Sequence, residues 1–328
     1  QTINTLSVVA LQSYSRSQEF EADTLGVRYL RKTGYDAGAM ASFLEKLQAD
    51  SKLQAAIRGV PEDSVDDFNI MQTHPRTADR VEKAIAEARD GRANGELARE
   101  RFLAKLDGMR VGSSREQGFV RGTKFLHPEL RFAFEVPDGF RLINRPDQVA
   151  ALGPDGAQIV FDMARPDRPV EPHTYLTREW AKDARLNDLD RLDVNGQPAA
   201  TATTRVRTRQ GTRDVRLVAV RWEERRIYRF MFVTPPSQTG RFSTAFRRTT
   251  HSLRRLPQAE ADALQPLRLK IHTVRQGETV DSLAARMPYS DLNARRFRVL
   301  NGLDTGEGIT PGQKVKLVVA GNGAAGEG

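Results

Sequence analysis

The hydrophobic positions change period along the chain, and each change marks a region. Over the first 90 residues the period is helical. The stretch "QEFEADTLGVRYLRKTG" closes with Arg31, Lys32 and then Gly34, a basic last turn followed by a helix stop. Asp36 stands where it can cap the next helix, on which Met40, Phe43, Leu44 and Leu47 recur three and four apart as a core stripe. The opening "QTINTLSVVALQSYSRSQEF" also reads as helix, without a start signal. After the polar "RGVPEDSVDDFN", the stretch "THPRTADRVEKAIAEARDG" reads as helix, with Pro75 near its start and Gly91 beyond its end. "GELARERFLAKLDGM" adds one more helix before a linker.

From residue 125 the period becomes two. "RFAFEVPDGFRLI" alternates, and "AALGPDGAQIVFDMA" reads as a hairpin around Pro154, Asp155 and Gly156. "TYLTREWAKDARL" reads as helix, residues 194–235 as three antiparallel strands, and "GRFSTAFRRTTHSLRRL" as a closing amphipathic helix. The expected organisation is therefore α+β and multidomain. A helical region (1–90) leads through a helix and linker (91–124) to an antiparallel sheet with helices packed on one face (125–256). A linker (257–267), a small βααβ module (268–318) and a flexible tail (319–328) follow.

Composition narrows the partners. The longest apolar runs are as short as "LVAV" at 217–220, so no segment of the sequence spans a bilayer as a helix. There is no cysteine, which excludes disulfides and thiolate metal sites. No signal peptide is visible at Gln1, yet a helix read without a start signal suggests an upstream region or a processing boundary, so no compartment is excluded. The net charge of +9 would suit nucleic acid, anionic lipid or cell-wall polymer. The arginines of "TRVRTRQGTRDVRL" alternate with other residues, however, as the solvated face of strands does, and a nucleic-acid partner is not expected.

The chemistry concentrates in "YSRSQEFEADTLG". On a helix, Glu19, Ala22, Asp23, Gly26 and Leu30 share one stripe, where Ala22 and Gly26 would admit another backbone. A carboxylate on such a face would be buried, which is costly unless it is paired or metal-bound. Glu19 could then bind a cation, and Asp23 could accept a hydrogen bond from a histidine on the same cation. The other reading is that these carboxylates face water and pair with Arg16 and Arg28.

The segment "SRSQEFEADTLGVRYLRKTGYDAGAMASFLEKL", with Ser15, Arg16, Glu19, Ala22, Asp23, Gly26 and then Gly34, Tyr35, Asp36, resembles the HtpX-like and CAAX-prenyl-protease-like zinc metallopeptidases of family M-48. The later "THPRTADR" is similar to that family's T-H-P segment. The resemblance implies the second half of a catalytic domain, with Glu19 as the third Zn2+ ligand and Asp23 orienting a ligand histidine. It gives His74 the stabilisation of the oxyanion and Arg80 a supporting role. The family's other two ligands and its general base come from a helical HExxH, and two histidines with one carboxylate leave zinc a fourth position for water. None of the five histidines (His74, His127, His173, His251, His272) is followed by Glu. HExxH is therefore expected upstream of Gln1, and the chain by itself is expected to bind zinc weakly or not at all and to be inactive. His127, before a proline, reads as the start of a strand; it, His173, His251 and His272 read as structural.

Residues 127–161, with the "VPDGF" turn and the closing helix, resemble small α+β domains of the PsbP and Mog type, for which packing or partner recognition is the expected role. The stretch from His272 resembles a LysM module through Thr273, Val274, Gly277, Glu278 and Thr279, the helix with Leu283 and Ala284, Leu300-Asn301-Gly302, and Pro311, Gly312, Gln313 and Val315. It implies binding to N-acetylglucosamine-containing glycans such as peptidoglycan. "PYSDLNARRFRVL" is longer and more basic than usual for such a module. Taken together, the sequence is expected to be part of a periplasmic or envelope-associated zinc metalloendopeptidase acting on protein or peptide substrates. The alternative is a non-catalytic envelope or peptidoglycan-binding adaptor.

Overall fold

The computed structural model describes residues 16–59, 61, 62, 83, 86, 95–209, 211–289 and 291–321. They form two compact units. One holds Gly112–Pro266, and the other combines the described residues before it with those from Leu267 onward.

The second of these units begins with α1 (Arg16–Lys32) and α2 (Gly38–Arg58). Glu19 in the first turn of α1 and Arg31 and Lys32 in the last complement the helix dipole. The helix stops because Gly34 turns left-handed, at φ 80°, while the Tyr35 amide donates to Leu30 O at 2.9 Å. Asp36 then caps α2, its Oδ1 accepting the Gly38 amide at 2.7 Å. Leu44 and Ala41 are buried on α2 with Met40 against them, but Phe43, expected in the core stripe, is 57% exposed. The buried stripe is narrower than the spacing suggested. The helix read from Gln1 and the one over 73–91 fall largely outside the described residues.

Past Gly95 the chain forms α3 (Arg99–Leu106) and β1 (Arg110–Val111). The other unit then opens with β2 (Phe119–Arg121), β3 (Lys124–His127) and β4 (Phe132–Glu135), followed by β5 (Arg141–Asn144), β6 (Val149–Leu152) and β7 (Gln158–Ala164). A short α4 (Pro172–Tyr175) continues into a π-helical turn, Leu176–Trp180. The long strands β8 (Asn187–Val194), β9 (Gln197–Thr208), β10 (Gly211–Glu223) and β11 (Arg226–Thr234) follow, then α5 (Thr239–Ser252), β12 (Arg254–Arg255) and α6 (Gln258–Ala263).

These strands make a seven-stranded antiparallel sheet, ordered β5-β6-β7-β11-β10-β9-β8, and a four-stranded sheet, β12-β4-β3-β2. The hairpin around Pro154–Gly156 pairs β6 with β7, and residues 194–235 form β9, β10 and β11. Alternation along β10 sends Val218 and Val220 to one face and Leu217 and Ala219 to the other. The first face carries an aromatic core in which Phe132 and Phe134 of the small sheet meet Phe161, Tyr228 and Phe230, with Phe242 and Phe246 of α5 alongside. The second face is covered by Tyr175 and Leu176. Helices were expected on one face only; both faces are covered because both carry buried apolar residues.

The helix expected within 91–124 forms as α3, and strands and a helix stand where linkers were expected. Residues 91–124 include α3, β1 and β2, and 257–267 include α6. The helix expected over 174–186 ends at Trp180, where the Ala181 amide closes back on Leu176 O. His127 ends β3 rather than starting a strand.

The last module consists of β13 (Leu267–Thr273), α7 (Val280–Ala284), α8 (Asn293–Asn301) and β14 (Lys314–Ala320), the expected βααβ order. It belongs to the same unit as α1 and α2, and β1 adds a third strand to its sheet, in the order β1-β13-β14. Strand β14 runs into the expected tail as far as Ala320, and residues 322–328 lie outside those described.

Candidate functional site

The face of α1 is sharply divided. Glu19 is 6% exposed and Asp23, one turn on, is 4% exposed, with Val27 buried a further turn along. Glu21 is exposed, as is Arg28. Burial of both carboxylates removes the reading in which they face water. Neither is isolated; both take part in interactions within the fold. Two expected neighbours behave differently. Ala22 is exposed, so it admits nothing. Gly26 does leave room, but for a side chain rather than a backbone: a Cβ there would lie 2.5 Å from Cε of Met40 on α2.

The turn after α1 is held from outside. Gly34 O accepts the Glu96 amide at 2.9 Å and Glu96 O accepts the Asp36 amide at 3.3 Å, a short parallel bridge. Gly95 permits this approach, since a Cβ there would sit 2.2 Å from Asp36 N. Arg101 on α3 donates to the Tyr35 hydroxyl at 2.8 Å and to Glu96 at 3.3 Å. The Gly34-Tyr35-Asp36 motif thus works as a joint between α1, α2 and the segment carrying α3.

The arrangement places two buried carboxylates one turn apart on α1. Among the described residues no three His, Cys, Asp or Glu side chains converge as a metal-binding group. His74 and Arg80 lie outside the described residues. Three of the other histidines have clear local settings. His127 is buried between Phe125 and Phe132, and its Nδ1 accepts the Leu130 amide at 3.1 Å. Burial pushes this imidazole below the usual histidine range, with nearby Glu129 opposing and Arg226 reinforcing the shift. His251 is exposed on α5. His272, read as isolated, is not: its Nε2 lies 2.6 Å from Glu278 Oε2.

In the βααβ module the motif residues hold the fold. Thr279 and Ser282 form a reciprocal capping box at the start of α7. Glu278 also accepts the Arg275 amide at 2.7 Å and Arg286 at 3.2 Å. Partial desolvation raises its carboxyl, but the Arg275 amide, His272 and Arg286 outweigh this and hold it below the usual carboxylate range. Asn301 clamps β14: its Nδ2 donates to Phe297 O and Lys316 O, and its Oδ1 accepts the Lys316 amide at 2.7 Å.

Residues 1–88 match the model of peptidase family M48. Residues 272–318 match that of the LysM domain. The M48 segment therefore contains α1 and α2, and the LysM domain holds nearly all of the βααβ module. A search of curated proteins finds no match. Among solved structures, one from Bacteroides thetaiotaomicron is similar at 12% identity over 48% of this chain and 56% of its own, with a TM-score of 0.34. The PsbP protein of the cyanobacterium Synechocystis is similar at 14% identity over 44% of this chain and 98% of its own, with a TM-score of 0.34. The Ran-binding protein Mog1p of Saccharomyces cerevisiae is similar at 9% identity over 42% and 96%, with a TM-score of 0.31. Among the described residues no helix is long and apolar enough to cross a membrane.

Two residues that sequence reasoning missed join the M48 segment to the LysM domain. Glu62, just past α2, receives Arg295 of α8 through both carboxylate oxygens, at 2.6 and 2.9 Å. Their separation in sequence left no local signal; only the unusual basicity of α8 pointed there.

Proposed function

We propose that the M48 segment is the carboxylate-bearing half of a zinc metalloendopeptidase site acting on envelope or periplasmic proteins, and that the LysM domain keeps the protein at peptidoglycan. The observation that supports this reading is the burial of Glu19 and Asp23 one turn apart on α1. A buried carboxylate beside a second one suits a metal ligand with a partner that orients a neighbouring imidazole. Glu19 would hold the metal and Asp23 would fix the tautomer and direction of a ligand histidine. His74 would donate to the oxyanion, and Arg80 would support that segment. When bound, zinc supplies a water activated at neutral pH.

The two imidazoles and the general base are not among these 328 residues, since no histidine is followed by Glu. The chain alone therefore does not cleave peptides. The LysM match also supports a second reading, a peptidoglycan-binding adaptor.

One experiment separates the two. The chain is joined to an N-terminal segment bearing an HExxH helix, and zinc content and peptide cleavage are measured for the parent, Glu19→Gln and the exposed-site control Glu21→Gln. The peptidase reading expects stoichiometric zinc and cleavage in the parent and the control, and loss of both in Glu19→Gln. Zinc retained in Glu19→Gln, or cleavage by the 328-residue chain alone, would overturn the assignment. Retention of the full chain on insoluble peptidoglycan tests the envelope role; no retention counts against it.

A further inference from the structure

We infer that helix α8 of the LysM domain is a protein-docking face, occupied by α2 of the M48 segment, so that the domain is an integral brace of the peptidase segment and not a freely tethered adhesion module.

The basic stretch of α8 carries this inference. Its three arginines are all engaged within the chain. Arg296 pairs with Asp291 at 2.8 Å, and Arg298 donates to the carbonyls of Asp304 and Glu307 at 2.8 and 2.6 Å. Both tie α8 to its own flanking loops. Arg295 alone reaches outward, and it makes the two-pronged contact to Glu62, a geometry that fixes orientation as well as distance. At the C-terminal end of α8, Gly302 leaves room for the Lys46 side chain of α2; a Cβ there would sit 2.6 Å from Lys46 Cε.

A second seam runs along β13. The segment after α3 joins the LysM sheet as a strand, Val111 pairing with Leu267. Around it the Gly108 amide donates to Leu269 O and the Leu269 amide to Met109 O, both at 2.8 Å, and Asp107 Oδ1 accepts the Ile271 amide at 2.8 Å. The same segment is bonded at its N-terminal end to the Gly34–Asp36 turn through Glu96 and Arg101. The LysM domain is thus held both at α2 and, through residues 95–111, at the turn that ends the Glu19 helix. A flexible tether would leave the module's sheet two-stranded and Arg295 without a carboxylate.

The inference does not rest on peptidase activity, and its test uses neither zinc nor substrate. Hydrogen–deuterium exchange is followed in the full chain for α2, β13 and β14 in Arg295→Glu, Glu62→Arg and the exchanged pair Glu62→Arg/Arg295→Glu. Each single reversal is expected to raise exchange across α2 by about two- to five-fold, the size of a partly exposed ion pair, with β14 protected as before. The exchanged pair restores parent protection. If Arg295→Glu also strips protection from β14, Arg295→Gln reads the same contact without inverting the charge. Unchanged α2 exchange with β14 protected, or failure of the exchanged pair to restore it, overturns the inference.

Discussion

The cross-strand pair of Asp162 on β7 and Arg229 on β11 offers a quantitative test of what holds the seven-stranded sheet. The two residues are direct partners in the antiparallel register, and the guanidinium grips the carboxylate at 2.6 and 2.5 Å. It also donates to the Tyr175 hydroxyl at 3.0 Å and lies 5.0 Å from the Trp180 ring. Burial lowers the pKa of Arg229, but the bonds and charge of Asp162 outweigh this and raise it overall. Asp162→Ala leaves the cation with only Tyr175 and Trp180. A fully buried pair broken this way costs about 3–5 kcal/mol. Here the side chains are 18% and 21% exposed, so water recovers part of the loss and about 2–3 kcal/mol is expected. That corresponds to a fall of about 4–12 °C in the unfolding midpoint for a unit of this size. Replacing both partners, Asp162→Leu with Arg229→Met, removes the stranded charge and is expected to fall within about 1 kcal/mol of the parent. The chain's two tryptophans, Trp180 and Trp222, both lie in this unit, so tryptophan emission during urea or thermal unfolding reports it alone. The reasoning fails if Asp162→Ala costs under about 1 kcal/mol, or if the double variant loses as much as the two single variants combined.

Other outcomes follow from single contacts. Asn301→Ala deletes three bonds to the backbone of α8 and β14 and is expected to cost about 2–4 kcal/mol, read as earlier loss of amide protection in the LysM domain. Leu44→Ala, at a fully buried position on α2, is expected to cost about 2–5 kcal/mol and to expose the M48 segment to protease. Gly95→Ala drives a Cβ into the backbone of Tyr35 and Asp36 and is expected to break the bridge to Glu96, seen as faster exchange of the Glu96 amide. His127 has its folded pKa below its unfolded value of about 6.5, so its contribution is complete above that pH and is lost as the pH falls towards the folded value. Stability of the aromatic unit should therefore drop on acidification below about pH 6.5, and His127→Leu should lack that component in denaturation profiles at stepped pH.

The parts of the fold legible in the sequence were those whose local signals agreed with their surroundings. Strands β10 and β11 carry nearly continuous buried runs because both faces of the central sheet are covered, and Asn195-Gly196, both at positive φ, form the tight turn before β9. Strand β8 was missed because it is an edge strand: "NDLDRLDV" is mostly exposed and shows no buried alternation. Strands β2 and β3 were read as linker and strand start because they are only three and four residues long and turn tightly at Gly122, φ 59°. On α1 the four-residue spacing of Glu19 and Asp23 was readable, and both carboxylates are buried as that stripe implied. The accommodation of Met40 at Gly26 was not readable, because spacing locates a gap without naming what fills it. The Glu62–Arg295 contact lay beyond any local pattern, since 233 residues separate its partners.

Strand β8 has a further consequence. An open sheet edge is a template on which a second copy of the chain can add a strand and begin a polymer. Here Asp188, Asp190, Arg191 and Asp193 would each have to be desolvated or matched by such a strand, and the ladder is interrupted between Asn187 and Asp190, where Asp188 takes φ 49°. The edge is both charged and out of register for an incoming strand. Adding a strand at β8 therefore carries both a desolvation cost and a register mismatch.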